Sequence, residues 1–449
     1  MLHTALGDSS AAVARSALKA VGSWAMSILE SSDDARLLKP MLPAMLQVCG
    51  RAVGQGDEET TKLGCGILDD CVESPAGVVN PHLAALLAFA ADTAKCRSLE
   101  KETCASALNL IATALVHKRK LVVKQRLVPP LVLALFEICA EVEEIDEDED
   151  ELSLHKLSAQ VLDVLGRHLP SKHVVPALLE QVGLHRASEC PYRRRAVLVA
   201  LAVSAEGCSE AFVARLDDLL PLMYAGCADP SQMVREAACI GIGQFAQFLQ
   251  PEIITHYQQV LPCIFTVLND ATEQVKEKSC YALEAFCEHL GDDIVPFLQP
   301  LLARLSDLLQ HGSRKTQEMC VSAIASVAMA AAEQFTPYFA QVYGLMRLLL
   351  AQTGEPELLL RARAMECVGL MNLAVGRAHC DPVLPECTEL ALKGLELGLP
   401  ELKEYTYGFF AQTAELVGPE SAALLPRLLP FLLASLNAED AFDWQADSP

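Results

Sequence analysis

The chain is 449 residues long, 52% hydrophobic but only 5% aromatic, and carries a formal charge of −23. A field of that sign disfavours nucleic acid and anionic membrane surfaces as partners and favours basic proteins. Abundant Leu, Ala, Val, Ile and Cys with few aromatics point to stacked helices, and no Asn-Gly or Asp-Gly hairpin turn argues for a sheet.

Residues 1–30 read as the back half of a helix pair. Asp8 and Val13 keep a five-residue spacing found again downstream, and Ala14 stands where a cation would fall. No first helix precedes them, so the expectation is a chain that starts inside a longer protein. Arg15 and Lys19 ahead of residues 20–29 resemble a leader only faintly, because no small-residue cleavage site follows. Helix pairs are then expected at about 33–55 with 57–74, where Pro40 and Pro43 fall in the first helix, and at 79–93 with 98–117. The longest uncharged run, residues 74–91, holds Pro75, Asn80, Pro81 and His82 and makes a poor membrane span.

A first helix at about 119–140, kinked at Pro129 and Pro130, and its partner at 152–169 are separated by EVEEIDEDEDE. Nine of these eleven residues are carboxylates: Glu141, Glu143, Glu144, Asp146, Glu147, Asp148, Glu149, Asp150 and Glu151. Like charges at this density repel and stay extended, as interaction segments do. Removing the nine still leaves −14, so the rest of the chain is acidic as well.

Pairs at 172–187 with 191–205 and 209–227 with 231–249 lead to the clearest repeat, 252–268 with 272–290. The last two of these repeat each other at an offset of 41 residues, which aligns Pro221 with Pro262, Asp229 with Asp270, Val234 with Val275 and Arg235 with Lys276. A period of this length marks a solenoid of helix pairs. Each position has a physical reason. The proline bends the first helix, the aspartate meets free N–H groups at the start of the second, the valine enters the core, and the cation can reach a neighbouring repeat's aspartate.

Further pairs follow at 293–310 with 313–332, 335–352 with 356–376 and 382–397 with 400–417, and a last first helix covers 420–436. The signature fades to Ala303, His311, Thr316 and Gln317 while the apolar period persists. The expected architecture is an all-α solenoid over 1–437 of ten to eleven repeats, the first and last incomplete, with the acidic loop 141–151 inside it. The acidic, non-periodic tail 438–449 leaves the last helix unpaired, so the chain is also expected to stop inside a longer protein.

No hydrolase, zincin or phosphate-loop motif is present. Gly241-Ile-Gly243 lies mid-helix and reads as close helix packing. His168 and His173 flank Pro170 without completing a metal set. Arg193, Arg194 and Arg195 stand out as a basic cluster, read first as a solvated face and otherwise as a contact for a phosphate or an acidic partner, or as a resting place for the acidic insert. The seventeen cysteines, an odd number with no C-x-x-C pair, fall largely on apolar faces, as Cys239, Cys280 and Cys320 do, and suit a reducing compartment. Neither a cofactor, a metal nor an enzymatic activity is expected.

Proline, aspartate eight residues on, then valine and a cation resembles the HEAT repeat. With the acidic insert and the segments RLVPPLVLALF (126–136), QVLDVLGRHLP (160–170), CADPSQMVREAA (227–238), CYALEAFCEHLG (280–291) and VSAIASVAMAAAEQFTPYF (321–339), nearly the whole chain resembles the importin beta (karyopherin beta) family. The resemblance implies a nuclear import receptor shuttling between cytoplasm and nucleus. Such a receptor takes basic cargo, such as ribosomal proteins or histones, on the side lined by second helices. It contacts phenylalanine-glycine nucleoporins through clefts between first helices and releases cargo to Ran-GTP. It further implies that residues 141–151 correspond to the family's acidic loop, used for cargo or Ran, and that roughly four repeats holding the main Ran contact lie upstream. A scaffold for a multi-protein complex fits the same fold. An importin-alpha-like adaptor fits poorly, for it would need Trp and Asn arrays and the chain has two tryptophans.

Overall fold

The computed structural model describes residues 1–29, 35–142 and 153–437, and among them every regular element is a helix. The chain divides into two compact units, Met1–Ile253 and Ile254–Pro449.

In each unit a first helix and a second helix alternate. The first unit pairs Leu42–Gln55 with Glu58–Glu73, Leu83–Ala94 with Lys101–His117, Val128–Cys139 with Leu154–His168, Ser171–His185 with Pro191–Val203, and Leu216–Cys227 with Gln232–Phe248. The second pairs Tyr257–Leu268 with Glu273–Cys287, Leu298–His311 with Arg314–Ala331, Thr336–Leu350 with Leu358–Val375, and Leu384–Leu395 with Pro400–Val417, and ends on Leu425–Asn437. Within each unit, neighbouring second helices mostly pack on one another more extensively than neighbouring first helices do; the exception is the step from Val128–Cys139 to Ser171–His185, where the first helices pack more closely than their second helices.

The apolar period explains each pair. Leu216–Cys227 buries Leu216, Leu219, Leu220, Met223 and Cys227, and Gln232–Phe248 answers with Val234, Ala238, Ile242 and Phe245. Both are stripes at helical spacing, and each large apolar side chain taken fully out of water stabilises the stack by about 1.5–3 kcal/mol. Val234 and Val275 are both buried, and Pro221 and Pro262 each take the sixth position of a twelve-residue first helix. Gly241 lies where a methyl group would meet Met223 Sδ at 2.6 Å, so any larger residue there would force the Met223 side chain to move. Fourteen of the seventeen cysteines are buried and all are free thiols. Burial pushes Cys49 up to about 12, which keeps such thiols unreactive.

Several expectations change. Residues 119–140 are two helices, Arg119–Lys124 and Val128–Cys139, parted at Arg126 with φ +57°. Pro129 and Pro130 start the second of these rather than kink a single one, because the first turn is where a missing N–H costs nothing. The first helix at 209–227 likewise divides into Ser209–Val213 and Leu216–Cys227. Those at 252–268 and 293–310 open with 3₁₀ turns, Glu252–His256 and Gly291–Phe297, which tuck Ile253 and Ile294 into the core. At the start of the chain a five-residue helix, Leu2–Leu6, does precede the second helix Ala11–Ile28. Ala14 is not a lost cation, for Arg15 beside it pairs with Asp57 and, at 3.0 Å, with Glu59 of the next repeat.

Two stretches, Arg314–Leu350 and Pro400–Ser435, are long and apolar enough to cross a membrane by length and composition. Neither is one helix. The first breaks at Ala332, φ +46°, and the second at Gly418, φ +65°.

Candidate functional site

The turns between first and second helices form a polar edge along each unit. Asp229 precedes the second helix Gln232–Phe248 and accepts the Ser231 N–H at 2.8 Å. Arg194, one repeat back, grips the same carboxylate with two bonds, Nε to Oδ2 at 2.7 Å and Nη2 to Oδ1 at 2.9 Å. Burial pushes Asp229 up, but Arg194 and the Ser231 N–H together outweigh it and hold the carboxyl below its ordinary range. Arg235 folds back onto its own turn, donating to Asp229 O at 2.9 Å and Pro230 O at 3.1 Å.

In the second unit Asp270 accepts from Thr272 N–H and hydroxyl at 2.9 and 2.7 Å. Lys276 turns to Glu273 at 2.7 Å, and Glu273 bridges forward to Ser313 N–H at 2.9 Å and Thr316 Oγ1 at 3.0 Å. With the Lys276 bond first, these contacts hold Glu273 down to about 2. The faded signature thus keeps its job with other atoms. Thr316 is buried where the valine stood, and Gln317 donates to Leu309 O at 2.9 Å where the cation stood.

Of the acidic insert, Glu141 follows the helix Val128–Cys139 and pairs with Arg97 of the preceding repeat. Glu143, Glu144, Asp146, Glu147, Asp148, Glu149, Asp150 and Glu151 lie outside the described residues, as do residues 438–449. The arginine cluster is no solvated basic face. Arg194 is committed to Asp229, and Arg195 donates to Cys139 O at 3.1 Å and lies 5.5 Å from the ring centre of Tyr192. Arg193 alone of the three is exposed.

Stacking gathers carboxylates that the sequence keeps far apart. In the second unit Glu284, Glu366 and Glu404 come from the second helices Glu273–Cys287, Leu358–Val375 and Pro400–Val417. They share a field with Arg363 and Tyr405. Burial, then Glu366 and Glu288 against the opposing Arg363, leave Glu284 above its ordinary value. Burial, then Glu404 against Arg363, do the same to Glu366. Burial and then Glu366 raise Tyr405. Arg363 Nη1 is held by Ser322 Oγ at 3.1 Å on the intervening second helix. One guanidinium facing Glu284 and Glu366, with Glu288 and Glu404 beside them, leaves a negative excess in a partly desolvated place, where a further cation would be attracted more strongly than in bulk water.

In the first unit the corresponding carboxylates are sequence neighbours on one second helix, Glu58–Glu73. Burial raises Asp69, and Glu73 and Asp70 add to it while Thr113 of the next second helix opposes it. Burial likewise raises Asp163, against Arg167 at 2.5 Å. Among the described residues no set of three or more His, Cys, Asp or Glu side chains is placed to hold a metal ion.

A groove of about 540 Å³ lies between the first helices Leu384–Leu395 and Leu425–Asn437. Leu384, Pro385, Val417 and Leu424 supply its apolar wall. Two ion pairs flank it, Arg377 with Glu420 and Arg427 with Glu389.

One basic cluster escaped the reading of the sequence. His117 to Arg126 reads HKRKLVVKQR, and no carboxylate occurs between Glu102 and Glu137. That gap was the available signal.

Comparison with known proteins places these surfaces in a family. A family model described as "IPO5-like, TPR repeats" matches residues 1–89, and one described as "HEAT-like repeat" matches 191–245. The chain is 35% identical over 437 residues to Importin-4 of Mus musculus, covering 92% of this chain and 40% of that protein. It is 32% identical over 439 residues to Importin-4 of Homo sapiens, covering 93% and 40%. Its fold matches crystal structures of Kap121p bound to Pho4p and of Kap121p bound to the SUMO protease Ulp1p. The TM-scores are 0.87 and 0.88, at 22% identity, over 97% of this chain and 43% of each neighbour. The chain thus spans about two fifths of the length of these relatives. A HEAT-repeat solenoid with this degree of likeness to importins along nearly its whole length is a member of the importin beta (karyopherin beta) family.

Proposed function

We propose that this chain is part of a nuclear transport receptor and binds basic cargo proteins on its layer of second helices. The observation that carries the proposal is the pairing of Glu284 and Glu366 about Arg363, with Glu404 beside Glu366, and burial holding Glu284 and Glu366 in a state that a cationic partner would relieve. A receptor of stacked helix pairs can offer its layer of second helices as an extended binding surface, and the carboxylates on that layer give it the sign a basic ligand needs. Long-range attraction brings the cargo in, and many modest charge pairs of about 0–1 kcal/mol each hold it. The names of the relatives support transport over a static scaffold.

The acidic loop 141–151 adds a second anionic contact for cargo or Ran. Phenylalanine side chains of nucleoporins fit the groove beside Leu384 and Leu424, weak singly and useful in number. Release by Ran-GTP and shuttling between cytoplasm and nucleus belong to the same proposal. The chain acts by binding; catalysis has no part in the reading.

The test is titration of a histone or a basic ribosomal protein against the native chain at two salt concentrations, with and without Ran-GTP. Two variants join it, one neutralised at Glu284, Glu366 and Glu404 and one across 141–151. Binding that falls with salt and with the first variant supports the reading. Equal binding by all three chains at both salt levels rejects it.

A further inference from the structure

Cations beside the turns between first and second helices are paired at several places among the described residues, though Arg186 and Arg193 there are exposed. Arg15 meets Asp57, Lys62 meets Glu100 at 3.1 Å, Lys95 meets Glu137 at 3.2 Å and Arg194 meets Asp229. At the opposite edge of the first unit, where the second helix Lys101–His117 hands over to the first helix Val128–Cys139, the pattern stops. Arg119, Lys120, Lys124 and Arg126 are all exposed, and none makes a side-chain hydrogen bond or an ion pair among the described residues.

Several features hold this group in place without neutralising it. Lys118, at the base of the corner, is buried and donates Nζ to Ser74 O at 2.9 Å. Gln125 Nε2 reaches Asn80 O at 3.3 Å. Lys120 and Lys124 sit four apart on the helix Arg119–Lys124, a like-charge spacing that works against that helix. Arg126 occupies a left-handed conformation, φ +57°, that an arginine adopts at a cost. Val122 anchors the short helix in the core. A local arrangement that opposes its own stability, in a chain of charge −23 with carboxylates to spare, has the signature of a binding surface.

We propose that this corner is a docking surface for an acidic segment of a partner protein, separate from the acidic layer of second helices. Charge complementarity selects the occupant. The surrounding field repels a long polyanion, so a nucleic acid is disfavoured, while a short run of Asp and Glu engages the four cations through an attraction that reaches over one Debye length, about 8 Å at physiological salt. Such a partner would be bound at the same time as a basic protein on the second helices, because opposite signs of charge on different edges do not compete.

The experiment uses the full 449-residue chain and a fluorescent 20-residue peptide of alternating Glu and Asp at 0.15 M salt. A 20-nucleotide single strand and a lysine-rich peptide serve as comparison probes. The test variant is Arg119→Ser, Lys120→Ser, Lys124→Ser and Arg126→Gly, which leaves Lys118 and Val122 in place and gives position 126 a residue suited to its backbone. Its thermal unfolding is followed alongside. The expected result is acidic-peptide binding that weakens at least tenfold in the variant, with lysine-peptide binding and melting temperature unchanged. Acidic-peptide binding equal in both chains overturns the proposal. So does binding of the oligonucleotide as tight as that of the peptide and lost in the same variant, which would make the corner a nucleic-acid contact.

Discussion

Arg194 and Asp229, 35 residues apart, join two successive repeats through a two-bond pair in which both side chains are largely shielded, 18% and 10% exposed. The arginine is also tied to its own turn through Ser188 O at 2.7 Å and Glu189 O at 3.0 Å. Removing either partner strands the other. Arg194→Ala and Asp229→Ala should each lower the stability of the first unit by about 1–3 kcal/mol. The double variant should cost less than the two single losses added. Arg194→Lys should not rescue, because an ammonium cannot make the fork. Denaturant unfolding of the four chains checks this, and strict additivity would show that the pair contributes nothing.

Much of this edge was legible in the sequence, because Pro221, Asp229, Val234 and their counterparts at Pro262, Asp270 and Val275 occupy chemically demanding positions at a fixed spacing. What was not legible depends on single atoms or on stacking. Arg15 does the cation's work one residue from its expected place, and Glu273 carries a contact that the signature gives to an aspartate. First helices divide at Arg126 and between Val213 and Leu216, where the apolar period alone reads straight through. The grouping of Glu284, Glu366 and Glu404 exists only because second helices stack, so no window of sequence contains it. Part of the expected acidic loop, 143–151, falls outside the described residues.

Stability and binding should move in opposite directions at Glu366. Its carboxyl is half-buried, and burial disfavours its charged form. Glu366→Gln removes that penalty and the repulsion from Glu404, so unfolding should shift toward higher denaturant or stay level. Affinity for a lysine-rich peptide should fall about 2–5-fold, the worth of one such charge pair. Glu284→Gln should behave alike. A variant that loses stability and binding together would make Glu366 a structural residue.

Acidification should separate binding from folding in the second unit. Glu284 and Glu366 are held above the ordinary glutamate value, so they protonate first as pH falls, and affinity for a basic peptide should decline before pH reaches the usual carboxylate range. Because their folded values are raised, the folded state holds more protons than the unfolded one in that window, and their ionisation costs stability as pH rises through it. Glu273 runs the other way. Its folded value is depressed to about 2, so its contribution is present above the unfolded value and is lost only as pH falls from there toward 2. Peptide titrations from pH 7 to 4.5, beside thermal melts of the same samples, should show weakened binding on a still-folded chain. Affinity constant across that range would mean that these carboxylates do not meet the ligand.

The most enclosed cation should prove structural. Arg361 is only 2% exposed and has no carboxylate partner among the described residues. Its Nη1 donates to Gln352 O at 2.6 Å and its Nη2 to Leu390 O at 2.9 Å, so one guanidinium ties the turn before its own helix to the first helix of the next repeat. Burial lowers its proton affinity, yet arginine keeps its charge where a lysine would surrender it. Arg361→Ala opens a cavity beside Leu402 and Gly394 and frees two carbonyls. The second unit should lose about 3–5 kcal/mol. Arg361→Met fills the volume but leaves the carbonyls unmet, and should recover only part of that loss. Arg361→Lys, long enough to reach one carbonyl but not both, should fall between them. Melting temperatures of the three variants order these contributions. If Arg361→Met equalled the native chain, packing alone would account for the arginine, and the link between the repeats would need no hydrogen bonds from it.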